Sequence, residues 1–192
     1  GLIAHGLGRL RLGAARLREG RRMGRIRRDP GPLVAALRSA RSILIVCHGN
    51  VIRSPFAARL LGQALGEGGQ VSVGSAGLAP RPGTPSPPAA VAVAAARGVE
   101  LRDHAASPLT TEAVAASDLI FVMEIRQLAE VRRRFPEASE KAFLLTCLAP
   151  ETPLEVRDPV DREQPVFEDC YEHIARSVRP IRRLLVESGV AR

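Results

Sequence analysis

Short β-branched apolar runs alternate with helical stretches from Ser42 onward, and that alternation leaves few folds open. SILIV at 42–46, QVSVGS at 70–75, DLIFVM at 118–123 and KAFLLT at 141–146 have the length and residue types of strands. Between them lie SPFAARLLGQAL, with Ser54 read as N-cap and Pro55 in the first turn, the alanine-rich PPAAVAVAAARG closed by Gly98, TTEAVAAS, and a polar stretch from Glu124 to Phe135. A final helix carries Phe167, Cys170, Tyr171, Ile174, Val178, Ile181 and Leu185 at spacings of three and four, with Pro180 predicting a kink or a restart. Strands separated by helices predict an α/β fold: a parallel sheet with helices on both faces. Ligands of such sheets sit at the carboxyl ends of the strands, which is where Cys47 falls.

The net charge of +8 belongs to an arm rather than to this domain. Residues 1–28 hold nine arginines and one acid, Glu19, which leaves 19 basic and 19 acidic residues in the rest of the chain. A pI near 11 is therefore no argument that the folded domain binds nucleic acid, and with aromatics at 3% base stacking has little to work with. The domain proper is placed at 41–192, preceded by a basic, arginine-rich extension at 1–40. Within the arm Leu7, Leu10, Ala14 and Leu17 share a helical face, but glycines at 6, 8, 13, 20 and 24 weaken a helix unless it packs against something. Docking on the body, on another subunit or on an anionic surface, and simple solvation, all remain open for it. The three cysteines show neither a disulfide nor a zinc pattern, so a reducing cytoplasm is the expected compartment, and no apolar run approaches the length of a membrane span.

The stretch CHGNVIRSP, 47–55, carries the chemistry. A dianionic phosphate needs donors converging from several directions, and a short loop can supply backbone N–H groups from His48, Gly49, Asn50, Val51, Ile52 and Arg53. Gly49 and Asn50 both tolerate the left-handed angles such wrapping requires. The helix that follows adds its unpaired N–H groups and dipole. Arg53 can clamp two phosphate oxygens side by side, and the same field suits a thiolate nucleophile at Cys47. The bare pattern C-x5-R is weak, since about 0.4 chance matches are expected in this composition. Cys170 to Arg176 is such a match, with no glycine and no preceding strand, and reads as core packing.

With its context, the chain resembles the low-molecular-weight protein tyrosine phosphatase family from about Ser42 to Leu185. The motifs are the loop CHGNVIRSP, SAG after the second strand, DHAASPLT, SDLIFVME and a late Asp158-Pro159. The resemblance implies a four-stranded parallel sheet in the order 2-1-3-4. It implies Cys47 as nucleophile, Arg53 as phosphate clamp and Asp158 as general acid, with Asn50, Ser54, Ser75 and His104 as the hydrogen-bonded support of the loop. Asp161, three residues on, competes for the acid's role. His48 reads as a rim residue whose backbone does the binding, and Cys147 as packing at a strand end.

The implied reaction is hydrolysis of phosphotyrosine or a related protein phosphoester through a phosphocysteine intermediate, with no metal or cofactor. The partners expected are a phosphorylated protein or small phosphoester, and inorganic phosphate or another oxyanion in the loop. Departures from the tyrosine-specific pattern bear on substrate: Val160 and Asp161 stand where aromatics usually follow the acid, and no rim aromatic follows SAG. Phosphoarginine phosphatases of the family are the alternative, although Val51 replaces their small polar loop residue. Arsenate reductases of the same fold are disfavoured, because Cys147 and Cys170 are 23 positions apart and read as buried. A noncatalytic oxyanion binder would fit only without the acid. As every proposed reacting residue follows Arg41, the arm is expected to be dispensable for chemistry.

Overall fold

A computed structural model of the chain describes residues 2–66 and 69–189, with side chains from residue 13 onward. Strands β1 (Ser42–Cys47), β2 (Ser72–Gly77), β3 (Leu119–Val122) and β4 (Ala142–Leu144) form one sheet in the order β2-β1-β3-β4, every pairing parallel. β3 is buried throughout and β1 from Ile43 onward, as central strands covered on both faces must be. The register pairs Cys47 with Gly77 and Val46 with Val122, so three strand ends converge beside the CHGNVIRSP loop.

Among the described residues seven α-helices surround the sheet: α1 (Leu2–Arg28), α2 (Gly31–Ser39), α3 (Arg53–Leu65), α4 (Pro88–Ala95), α5 (Thr111–Ala115), α6 (Ile125–Arg134) and α7 (Gln164–Glu187). Helix α7 lies against α3, α4 and α2, while α6 packs on β3 and β4 and against α1. The apolar face of α7 is buried from Phe167 to Leu185, and the helix runs on through Pro180 without the predicted restart. Pro180 removes one backbone bond, but the buried face continues on both sides of it through Val178 and Ile181. Phe56 of α3 and Tyr171 of α7 stack with ring centroids 3.8 Å apart and planes 4° from parallel. Such a pair contributes about 0.5–1.5 kcal/mol beyond its buried area and ties the two helices together.

The arginine-rich segment is a single helix despite its glycines. Its second half is packed: Met23 is fully buried, Glu19 pairs with Arg132, and an added Cβ at Gly20 would stand 3.5 Å from Ile125 Cδ1. Tertiary contact of this kind offsets poor intrinsic propensity. Leu33, Leu37 and Ala40 are buried in the same core as β1. The stripe positions Leu7 and Leu10 lie outside the described side chains, and Leu17 is 64% exposed. No helix among the described residues is long and apolar enough to cross a membrane.

Candidate active site

β1 ends at Cys47 and α3 begins at Arg53, so the five residues between them must reverse the chain around a small space. Asn50 makes the turn possible with φ 53°, a left-handed angle that asparagine tolerates better than most side chains. Gly49 does not use that freedom: its φ is not positive, and an added Cβ would meet only Val51 Cγ2 at 3.6 Å. The steric requirement for glycine falls instead at Gly77 of the SAG motif, where a Cβ would sit 3.0 Å from His48 O and 3.1 Å from Asn50 Cβ. The chain after β2 runs so close that Leu78 N–H donates to Cys47 O and Ala79 N–H to His48 O, both at 3.0 Å.

Asn50 is fully buried and is the hub of the loop's support. Its Nδ2 donates to Ser54 Oγ and Ser75 Oγ at 2.9 Å each, its Oδ1 accepts from Ser107 N–H at 2.9 Å, and its carbonyl accepts from His104 Nε2 at 2.6 Å. All of its side-chain hydrogen-bonding capacity is thereby directed inward, which holds the left-handed turn in place. Ser54 is not the N-cap: that position belongs to Ile52, and no side chain caps α3. Besides accepting from Asn50, Ser54 Oγ lies 3.0 Å from Cys47 Sγ, a pair in which either atom can donate, and 3.4 Å from Ala76 O. Asn50 N–H also donates to Cys47 Sγ, at 3.2 Å. Two polar groups thus contact the sulfur from inside the loop.

Arg53 is 1% exposed, which for a guanidinium demands partners on every side. Nη1 donates to Glu124 Oε1 at 2.5 Å and to Val156 O at 3.0 Å, and Nη2 pairs with the Asp158 carboxylate. Glu124 lies two residues beyond the end of β3. Partial burial acts to raise its carboxyl, but hydrogen bonds from Arg126 and Arg53 prevail and hold it below the ordinary glutamate range. Tyr171 donates to Ile52 O at 3.3 Å beneath the loop, and burial pushes its hydroxyl up.

Cys47, His48, Gly49, Val51, Ile52, Arg53, Asp158 and Val160 line one cleft of about 110 Å³. His48 is exposed at its rim, and Cys47 lies at its base with 2% exposure. Asp161 is exposed, with φ 57°, and is not among the lining residues. A larger cleft of about 810 Å³ runs along α1, but its lining of arginine, leucine, isoleucine and glycine offers no nucleophile or general acid. Neither of the other two thiols lines this cleft. Cys147 lies in the 3-10 turn after β4 against Met23 Sδ, Cys170 lies in α7, and burial pushes them up to about 11 and about 12.

Sequence reasoning singled out Asn50, Ser54, Ser75 and His104, which meet here around one loop. It missed Glu124, Ser107 and the hydroxyl of Tyr171. Glu124 had an available signal, since it follows directly on the strand run DLIFVM, at the carboxyl end where ligands of parallel sheets bind. Ser107 lies inside the DHAASPLT motif, whereas Tyr171 reads simply as one position of an apolar helix face.

Residues 42–188 match the family described as low molecular weight phosphotyrosine protein phosphatase. A probable low molecular weight protein-tyrosine-phosphatase, EpsP of Ralstonia nicotianae, is 38% identical over 138 residues, covering 72% of this chain and 91% of that relative. Among solved structures, the tyrosine phosphatase Wzb from Escherichia coli K30 in complex with sulphate superposes with a TM-score of 0.71 at 28% identity, covering 76% and 99% of the two chains. The arginine phosphatase YwlE from Geobacillus stearothermophilus superposes with a TM-score of 0.69 at 30% identity, covering 76% and 94%.

Proposed function

The chain belongs to the low molecular weight phosphotyrosine protein phosphatase family, and from that membership we propose that Cys47, Arg53 and Asp158 hydrolyse phosphotyrosine or a related protein phosphoester. The observation that carries the assignment is the single cleft in which the sulfur, the guanidinium and the carboxylate face one another. The phosphoryl group enters the loop and takes hydrogen bonds from its backbone N–H groups and from Arg53 Nη2, which releases the Asp158 carboxylate from that nitrogen. Cys47 Sγ, as the thiolate, attacks phosphorus in line, the P–O bond to the leaving group breaks, and the departing oxygen takes its proton from Asp158, which acquires one from solvent once Arg53 Nη2 has turned to phosphate. Water then attacks the phosphocysteine and returns a proton to Asp158, and the P–S bond breaks to free inorganic phosphate and the thiolate. Glu124 and Val156 O hold Nη1, which leaves the Nε–Nη2 edge of the guanidinium for phosphate once Asp158 is displaced.

Release of phosphate from p-nitrophenyl phosphate in a metal-chelating buffer tests the reading. Turnover is expected for the parent chain, and its absence in a folded sample would overturn the proposal. Phosphoarginine is the second reading. It is favoured by Val160, 50% exposed at the mouth where an aromatic wall would otherwise stand, and by the likeness to YwlE. A panel of phosphotyrosine, phosphoarginine and phosphoserine peptides separates the two. We also propose residues 41–192 as the catalytic domain, with residues 1–40 as its extension.

A further inference from the structure

Five close approaches join Arg27, a residue outside the region that matches the family, to the loop that delivers Asp158. Arg27 Nη2 lies 2.6 Å from Ala149 O, 2.8 Å from Thr152 O, 3.1 Å from Thr146 O and 3.2 Å from Thr152 Oγ1, and Nε lies 3.3 Å from Thr146 O. The acceptors sit in and just beyond the 3-10 turn after β4, where Thr146 O also accepts from Ala149 N–H at 3.0 Å, so the guanidinium adds to the turn's own bonds. A guanidinium meets several of them at once with a fixed planar fork. Thr152, 5% exposed, is bound again by its neighbours, its N–H and hydroxyl both donating to Ala149 O.

From this anchor the chain reaches the site in a few residues. Leu154 O accepts from Thr146 Oγ1 at 2.6 Å, Val156 N–H donates to Met123 O at 2.9 Å, and Val156 O accepts from Arg53 Nη1. Asp158 is two positions further. Arg27 itself is held by α1, whose neighbouring Met23 is fully buried against Cys147. Resting on the reading of Asp158 as general acid, we infer that Arg27 is a positioning residue for that acid: it fixes the base of the 149–158 segment and so the reach of Asp158 to the leaving oxygen. The extension is therefore part of the catalytic apparatus, which reverses the expectation that it is dispensable.

The test uses full-length Arg27→Met and Arg27→Lys with aryl phosphates of graded leaving-group acidity. Arg27→Met is expected to lower kcat/KM, which reports only the steps up to departure of the leaving group, about tenfold or more for phenyl phosphate, in keeping with the cost of misplacing a reacting group by about 1 Å. Dinitrophenyl phosphate, whose leaving group needs no proton, should stay within about twofold, as should inhibition by inorganic phosphate. Arg27→Lys, keeping one donor, should fall between, and it carries the comparison if the methionine variant does not fold. In an Asp158→Asn background the Arg27 substitution should add almost nothing. Equal losses across leaving groups, or losses that add to those of Asp158→Asn, would overturn the inference. A parent enzyme without turnover, or an Asp158→Asn variant indifferent to the leaving group, would instead refute the underlying assignment.

Discussion

Arg53 Nη1 donates to Glu124 Oε1 at 2.5 Å, joining the first turn of the helix after β1 to the end of β3 across 71 positions of sequence. Glu124 thereby sets the plane of the guanidinium and leaves one edge free for exchange. Glu124→Gln keeps an acceptor but removes its charge, and is expected to cost about 1.5–3 kcal/mol of stability at neutral pH, the range for hydrogen bonds to charged groups. Because the Glu124 carboxyl is held below its ordinary range in the folded chain, that stability is present in full above the ordinary value and lost as pH falls through the lowered one. Urea unfolding of parent and variant should therefore differ at roughly pH 7, and the gap should narrow as pH falls below the ordinary glutamate range. A gap that widens on acidification would contradict the pairing.

Cys47→Ser should abolish turnover and leave phosphate binding, since a serine oxygen can still meet Asn50 N–H and Ser54, and Asn50 keeps its bonds to Ser54, Ser75 and Ser107. Titration with inorganic phosphate by calorimetry checks the second half. Appreciable hydrolysis by the serine variant would remove Cys47 from the mechanism.

Arg53→Lys keeps the charge but cannot hold Glu124 and Val156 O with one end while offering phosphate the other. A loss of about 3 kcal/mol or more in transition-state stabilisation is expected, read as the fall in kcat/KM. A rate close to the parent's would mean that the loop's backbone alone binds the phosphoryl group.

For Asp158→Asn the dependence on the leaving group is the informative measurement, because an acidic phenol departs without help and a poor one does not. The variant should lose far more kcat/KM with phenyl phosphate than with dinitrophenyl phosphate. Equal losses would make Asp158 a purely structural partner of Arg53 and turn attention to Asp161.

Peroxide inactivation should recover poorly on addition of a thiol reductant. Ile52 occupies the loop position where a second thiol could trap an oxidised Cys47, and Cys147 and Cys170 are buried and kept protonated. Intact mass after mild peroxide should show oxygen added at Cys47, and Ile52→Cys should improve recovery. A disulfide from Cys47 to either buried thiol, fully reversed on reduction, would revive the arsenate-reductase chemistry.

The strand and helix alternation and the loop after β1 were determined by the sequence itself, because both are local: period-two and period-3.6 patterns name the elements, and nine contiguous residues from Cys47 to Pro55 carry the turn with the proposed nucleophile and clamp. Locality also explains the errors. Ser54 has the residue type of an N-cap, yet Asn50 and Cys47 claim its hydroxyl, and Pro180 has the residue type of a break, yet a buried face carries the helix across it. Only the tertiary structure decided the partners of the charges. Placing β3 beside β1 brings Glu124 to Arg53, and packing α1 on α6 and on the turn after β4 brings Arg27 to Thr146, Ala149 and Thr152, between 119 and 125 positions away. No periodicity encodes such pairings, because a buried guanidinium needs acceptors in space and any segment the fold delivers can supply them.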